Sequence, residues 1–253
     1  MRPVLLDYLI TALLLVVAPL YARWSYRRFQ ERVRSGGPAA RRRQYLGGML
    51  RQWLLTALVM VWWFAAGRTR ELLGLTLPLD LRSVLGIGVT LAGILFLFAQ
   101  WRAVSGLDRA TLAGLAGHTD GVADLLPHTQ PEASTFRWLS LTAGVCEEVL
   151  YRGYLIAVLA VFTGLWTAAL LAGVAFGLAH AYQGRAGVLK TGIIGLGAAL
   201  LFVATGSLLW PMALHTAIDL HGGAVGRKIL EAVAAEGAAA SAASAASESQ
   251  VAG

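Results

Sequence analysis

Long apolar stretches alternate with shorter, more polar connections along this chain of 253 residues. They cover residues 4–22, 50–67, 84–101, 137–160, 163–182, 187–206 and 208–226. Each approaches the roughly 20 residues that a helix needs to cross a bilayer core of about 30 Å. Because they are rich in Leu, Val, Ala and Gly and lack the two-residue alternation of barrel strands, they predict helices. The pattern therefore predicts an all-α, polytopic membrane protein with about seven (six to eight) transmembrane helices.

The apolar stretches group into one predicted domain, which a tail of different composition follows. Residues 1–230 are expected to form a single membrane-embedded domain. Its first stretch is expected to remain as a span, because Asp7 interrupts it and no small-residue cleavage site precedes the arginines that follow. Residues 231–253 are almost wholly Ala, Ser, Glu and Gly, with too little bulky apolar surface to offset the entropy of ordering. They are predicted to form a disordered tail.

Composition and charge agree with a lipid environment and indicate the orientation. Hydrophobic residues make up 57% of the chain and charged residues 14%, against about 25% charged in a typical soluble domain. The connection between the first two stretches holds Arg23, Arg27, Arg28, Arg32, Arg34, Arg41, Arg42, Arg43 and Arg51. Such segments stay in the cytoplasm, so the N-terminus is expected outside and the C-terminus inside. The expected partner of this basic segment is the lipid bilayer of a bacterial inner (plasma) membrane, not nucleic acid.

The fourth stretch carries charged residues where a membrane span should be apolar. Glu147 follows Arg137 by about ten residues, which is about 15 Å along a helix and close to the bilayer midplane. An ionisable group there costs on the order of 2.5–3.5 kcal/mol. Glu148 and Arg152 are spaced to form an ion pair on one helix face, and a purely structural pair would account for both. It would not account for Glu147, which has no local partner and suits a general acid or base.

Two later stretches supply imidazoles at a comparable depth. Phe176 and His180 lie one turn apart in the fifth stretch, and His215 and Asp219 lie one turn apart in the seventh. A lone histidine in a helix is more often a packing residue, but three neighbouring helices that each carry ionisable groups favour a common site. The remaining histidines, His118, His128 and His221, are expected to be ordinary solvated or interfacial side chains.

These residue types indicate hydrolysis inside the bilayer. A carboxylate and an imidazole from facing helices can hold and deprotonate a water molecule. A second histidine with an aspartate could polarise a carbonyl and stabilise the oxyanion. A divalent metal such as Zn²⁺ held by Glu147, His180 and His215 is an alternative, although the helical His-Glu-x-x-His motif is absent and no metal is required. Cys146 is the single cysteine, so neither an internal disulfide nor a cysteine metal cluster can form.

The order of these motifs resembles a known family. Glu-Glu-x-x-x-Arg from Glu147, Phe-x-x-x-His ending at His180 and His-x-x-x-Asp from His215 follow one another on successive stretches. Together they are similar to the CAAX-processing and bacteriocin-immunity (CPBP, or Abi) family of intramembrane glutamic or metallo-type peptidases. The similarity covers about residues 125–222, including the Arg-Gly-Tyr-Leu run that begins at Arg152.

The resemblance implies a helical bundle with a cavity and a role for each site residue. Glu147 and His180 would activate water, and Glu148 and Arg152 would support the site. His215 and Asp219 would correspond to the pair on the oxyanion side. Prenyl-protein endopeptidases of the family have Asn at the last of these positions, and an ionised Asp cannot donate to an oxyanion. Asp219 is therefore protonated, or orients His215, or helps to bind a metal.

The resulting expectation is an intramembrane endopeptidase that cuts near the C-terminal or membrane-anchored segment of a protein substrate. One alternative is a non-proteolytic immunity or scaffold protein of the same fold. Another is a small proton-coupled transporter that uses Glu147, His180 and Asp219 as a relay, although the sequence shows no inverted repeat. Substrate identity and oligomeric state leave no pattern in the sequence.

Overall fold

The computed structural model describes residues 2–36, 38–119 and 121–251. Its helices are α1 (Leu5–Ala12), α2 (Ala18–Gly36), α3 (Pro38–Ala65), α4 (Leu81–Ser105), α5 (Arg109–Gly114), α6 (Gln130–Glu147), α7 (Ile156–Thr163), α8 (Leu165–Ala179), α9 (Gly184–Thr205) and α10 (Leu209–Val251). A π-helical turn (Leu13–Val17) joins α1 to α2, and a π-helical segment (Glu148–Leu155) joins α6 to α7. Short 3₁₀ turns cover Ala116–Thr119, Ala123–Leu125 and Ala181–Gln183. No strand occurs among these residues.

The predicted all-α, polytopic membrane fold is confirmed. Each apolar stretch of the sequence lies on a long helical segment of the structure. Within the described ranges, four segments are long and apolar enough to cross a membrane: Leu5–Gly36, Ala39–Ala65, Leu81–Ser105 and Ala181–Thr205. The 15-residue α8 is a shorter apolar helix. The chain is therefore an integral membrane protein, and α6, the following π-helical segment and α10 carry the ionisable residues inside the bundle.

Helix α10 extends into the C-terminal tail. Helix α10 continues without a break from Leu209 to Val251 across residue 230, and its residues 236–248 are exposed. Alanine has the highest intrinsic helix propensity, and extending an existing helix avoids the unfavourable nucleation step. Local propensity can therefore maintain a helix that buries little surface. The end of the predicted tail, residues 252–253, lies outside the described residues.

The bundle packs tightly around the π-helical segment. Helix α6 packs against α3 and α10, and α8 packs against α9. Gly144 lets α6 approach α10 closely, because a Cβ there would overlap the Thr216 hydroxyl of α10. Small residues at such crossings let membrane helices come close together. All eight residues from Glu148 to Leu155 are buried, so the charged motif lies inside the bundle.

A buried ion pair connects the first helix to the middle of the bundle. Asp7 is fully buried and accepts two hydrogen bonds from Arg68, at 2.7 and 2.5 Å. The Trp62 indole and the Tyr154 hydroxyl also donate to Asp7, at 3.1 and 3.0 Å. Tyr154 belongs to the π-helical segment, so this network joins α1 to the charged motif. Arg68 lies in the loop after α3, and its hydrogen bonds to Asp7 raise the pKa of the guanidinium.

The connection before α6 is held against α2 and α3. The Tyr26 hydroxyl donates to the Gly121 carbonyl at 2.9 Å, and the Tyr45 hydroxyl donates to the Leu125 carbonyl at 2.7 Å. Thr129 and Glu132 then form a capping box that starts α6. These contacts set the depth of α6 and therefore of the motif at its end. His118 and His128 are exposed in this connection, as predicted.

Candidate active site

The two adjacent glutamates lie where an α-helix changes to a wider helical turn. Glu147 is the last residue of α6, and Glu148 is the first residue of the π-helical segment. Such π-helical turns are uncommon and occur frequently at functional sites. Arg152 donates a hydrogen bond to Glu148, whereas the adjacent Glu147 faces a different neighbour, Gln52. Hydrophobic periodicity carries no signal for this change of helix type.

Glu148, Arg152 and His215 form a buried polar cluster. Glu148 Oε1 accepts hydrogen bonds from Arg152 Nη1 at 2.9 Å and from His215 Nδ1 at 2.7 Å. Arg152 Nη2 also donates to the Gly195 carbonyl at 3.0 Å, and its guanidinium carbon lies 4.2 Å from the centre of the Phe176 ring. The predicted pairing of Glu148 with Arg152 is confirmed as a contact. The cluster joins the π-helical segment to α8, α9 and α10.

Gly195 is required by this arrangement. A Cβ at that position would lie 2.8 Å from a carbon of the Phe176 ring and 3.3 Å from Arg152 Nη2. The absent side chain lets the carbonyl of α9 reach the guanidinium while the aromatic ring covers it. The cation is therefore held by a carboxylate, a carbonyl and a π face.

Glu147 has a partner that sequence reasoning missed. Gln52 Nε2, on α3, donates to Glu147 Oε1 at 2.7 Å. The second oxygen, Glu147 Oε2, is buried without a hydrogen-bond partner among the described residues and lies 3.9 Å from His215 Nε2. The carboxyl group thus has one oxygen held and one oxygen free. The sequence signal for Gln52 is a polar residue in the second apolar stretch. Because it lies near the start of that stretch, the sequence alone suggests a side chain at the membrane–water interface.

His215 lies between three carboxylates. Its Nδ1 contacts Glu148, and its Nε2 lies 3.9 Å from Glu147 Oε2 and 3.8 Å from Asp219 Oδ2. Asp219 is about one-third exposed, with 36% of its side-chain surface accessible, whereas Glu148 is fully buried. A carboxylate can only accept, so Nδ1 carries a proton. Nε2 is then the atom of this ring that faces the space beside Glu147.

His180 enters the same region from the end of α8. Its Nδ1 lies 2.8 Å from the Phe176 carbonyl, which can only accept, so Nδ1 donates and Nε2 is left free. The Phe176 ring separates the two imidazoles, with centroids 4.6 Å from His180 and 5.7 Å from His215. Tyr182, whose ring centroid is 5.7 Å from that of His180, also borders the site. Tyr151 packs edge-on against Phe176 at 5.3 Å.

The structure thus brings the predicted residues to one place from three helical segments, and α3 adds a residue that was not predicted. In the described part of the chain, no group of three or more His, Cys, Asp and Glu side chains has an arrangement that could hold a metal ion. What the arrangement offers is a half-paired carboxylate 3.9 Å from the His215 imidazole, with the His180 imidazole packed against the same Phe176 ring as His215; each imidazole is oriented by a bond at Nδ1.

Comparison with known families identifies this region. A family model described as type II CAAX prenyl endopeptidase Rce1-like matches residues 129–221. No curated protein and no solved structure shows a significant match to the chain. The matched range nearly coincides with the range 125–222 inferred from the motifs, so the resemblance to the CAAX-processing family is confirmed there. It supports an intramembrane protease activity in general terms. Gln52 lies outside the matched range.

Proposed function

We propose that this protein is an intramembrane endopeptidase that hydrolyses a peptide bond near the C-terminal or membrane-anchored segment of a protein substrate. The observation that carries the proposal is the half-paired carboxyl group of Glu147, whose free Oε2 lies 3.9 Å from His215 Nε2 inside the bundle. Glu148 Oε2 is also buried without a hydrogen-bond partner among the described residues, but the Glu148 side chain is fully buried, whereas 17% of the Glu147 side-chain surface is accessible. The free oxygen of Glu147 is available to a water molecule.

The first step of the proposed reaction is attack by water. Glu147 Oε2 accepts a proton from the water, while His180 Nε2 accepts the hydrogen bond of its other O–H. The oxygen of the water forms a bond to the carbonyl carbon of the substrate, and the carbonyl electron pair moves onto oxygen. This places a negative charge on the substrate oxygen, which needs a donor.

The second step is collapse of the tetrahedral intermediate. His215, as an imidazolium, donates from Nε2–H to the oxyanion, and Glu148 and Asp219 support its charge and orient its ring. The C=O bond re-forms, the C–N bond breaks, and the protonated Glu147 gives its proton to the leaving amine. Glu147 is ionised again. Of the roles considered for Asp219, the proposal assigns it the orientation of His215, because the two side chains lie one helical turn apart and 3.8 Å from each other.

A direct test uses the purified protein in liposomes with a farnesylated reporter. The reporter is an internally quenched peptide that ends in an S-farnesyl cysteine followed by three residues. We expect the protein to release the last three residues and to retain full activity in excess chelator, because the proposed steps use only side chains. Activity that chelator abolishes and Zn²⁺ restores would contradict the metal-free mechanism. A reporter left intact would contradict the proposed activity, and the transporter alternative would then be tested by proton flux in the same liposomes.

We also propose an orientation, with the N-terminus outside, in a bacterial inner membrane. It rests on the arginines between residues 23 and 51, which resist translocation. Ser35 is exposed on α2, and Leu79, in the loop after α3, is 93% exposed and belongs to the opposite side. On a Cys146→Ser background, Leu79→Cys should react with an impermeant thiol reagent in intact cells. Ser35→Cys should react only after permeabilisation, and the reverse pattern would invert the topology.

A further inference from the structure

We propose that Gln52 is a positioning residue of the site, whose side-chain amide holds Glu147 in the orientation that activates water. The inference rests on the proposed function and deepens it by assigning part of the site to α3, outside the region that the family model matches. Its central observation is the 2.7 Å hydrogen bond from Gln52 Nε2 to Glu147 Oε1.

The position of Gln52 is set by the packing of α3 on α6. The neighbouring Trp53 donates from its indole to the Thr142 hydroxyl on α6 at 3.2 Å. About two turns closer to the start of α3, Tyr45 packs edge-on against Phe136 of α6, with ring centroids 5.5 Å apart. Two contacts along one helix face fix both the rotation and the register of α3. Gln52 is therefore delivered to Glu147 by a rigid element and not by a loop.

The amide is oriented by Glu147 alone. Gln52 Oε1 is buried and has no hydrogen-bond partner among the described residues, so the bond from Nε2 is what selects this side-chain orientation. A buried acceptor without a partner destabilises the folded state. The arrangement therefore gives up one hydrogen bond on the amide oxygen while it keeps the bond to the carboxyl group. This is expected for a residue that serves Glu147 and not the packing of α3.

The hydrogen bond from Gln52 determines which oxygen of Glu147 faces the water. With Oε1 held by Gln52, the carboxyl group cannot rotate freely, and Oε2 stays directed to the side of His215 Nε2. Misplacement of a catalytic group by about 1 Å can reduce a rate by about 10²-fold. Loss of the amide should therefore reduce the rate of the chemical step and leave substrate binding unchanged.

The experiment measures kcat and KM on the farnesylated reporter for Gln52→Met, which keeps the length of the side chain and removes its hydrogen bonds. We expect kcat to fall by about 10- to 100-fold, with KM within about twofold and an unchanged melting temperature. Gln44→Met is the matched control, because Gln44 lies on the same helix and its side chain accepts a hydrogen bond from the exposed Arg32. A Gln52→Met enzyme with kcat within about twofold of wild type, or one whose loss lies wholly in KM, would overturn the inference.

Two further variants separate this inference from the proposed function. In a Glu147→Gln background, Gln52→Met should cause no additional loss, because Gln52 acts through Glu147. Gln52→Asn keeps the amide but shortens the side chain by one carbon, so kcat should also fall by at least about tenfold. This variant tests the positioning role if the Met variant does not insert. If Glu147→Gln abolishes cleavage while both Gln52 variants remain fully active, only the positioning role fails. If Glu147→Gln cleaves like wild type, the water-activating role of Glu147 fails and this inference fails with it; if the wild-type protein leaves the reporter intact, the proposed function fails.

Discussion

Glu147→Gln is expected to insert and fold normally and to lose about 10²–10⁴-fold in the rate of reporter cleavage. The substitution keeps the size of the side chain and removes its ability to take a proton, and loss of one acid–base group typically costs this much. The fold should tolerate it, because the oxygen of the new amide can still accept the hydrogen bond from Gln52. Thermal stability should be unchanged or higher, since a buried carboxylate with one unpaired oxygen carries a desolvation cost.

The measurements are the melting temperature in detergent and the steady-state rate on the reporter, on the same preparation. Glu71→Gln makes the same chemical change at an exposed carboxylate in the loop after α3 and should leave both quantities as in wild type. In cells, membrane proteins that keep an uncut C-terminal segment only in the Glu147→Gln strain would identify the natural substrate. Processing near the wild-type level by Glu147→Gln would remove this residue from the mechanism.

The sequence predicts the helices of this protein well because hydrophobicity is a local property. The stretch 84–101 becomes α4 (Leu81–Ser105), and the stretch 187–206 lies almost wholly within α9 (Gly184–Thr205). Hydropathy predicts a connection in the arginine segment, yet α2 continues to Gly36 and α3 begins at Pro38. Hydropathy marks where a chain enters lipid, but a helix can continue beyond that point because its backbone bonds are internal.

The candidate site shows the same division between local and distant information. The pairing of Glu148 with Arg152 follows from their spacing on one helix and is present at 2.9 Å. His215 contacts the same oxygen of Glu148 as Arg152 does, although it is 67 positions away in the sequence. The hydrogen bond from Gln52 to Glu147 spans 95 positions. Neither follows from periodicity, because the rotation of each helix about its axis is set only by packing. Site residues could thus be listed from motifs, but their partners required the assembled bundle.

Glu148→Gln should damage the fold and not the chemistry directly. The substitution removes the negative charge that balances Arg152, whose remaining partners are the Gly195 carbonyl and the Phe176 ring. Arg152 has a side chain that is 1% exposed, so water cannot compensate. Removing one partner of a buried ion pair costs about 3–5 kcal/mol. We therefore expect a lower yield and a clearly lower melting temperature than for wild type.

A second substitution and a matched control test the physical reason. Arg152→Gln added to Glu148→Gln removes the stranded cation and should recover part of the lost stability, although His215 still lacks its carboxylate partner. Arg227 and Glu231 have the same i, i+4 spacing on α10 at 2.6 Å, but the glutamate is 52% exposed. Because exposed pairs contribute only about 0–1 kcal/mol, Glu231→Gln should melt close to wild type. A Glu148→Gln protein as stable as Glu231→Gln would show that the buried ion pair does not stabilise the fold. A double variant less stable than Glu148→Gln alone would show that the unpaired charge of Arg152 is not the cause of the loss.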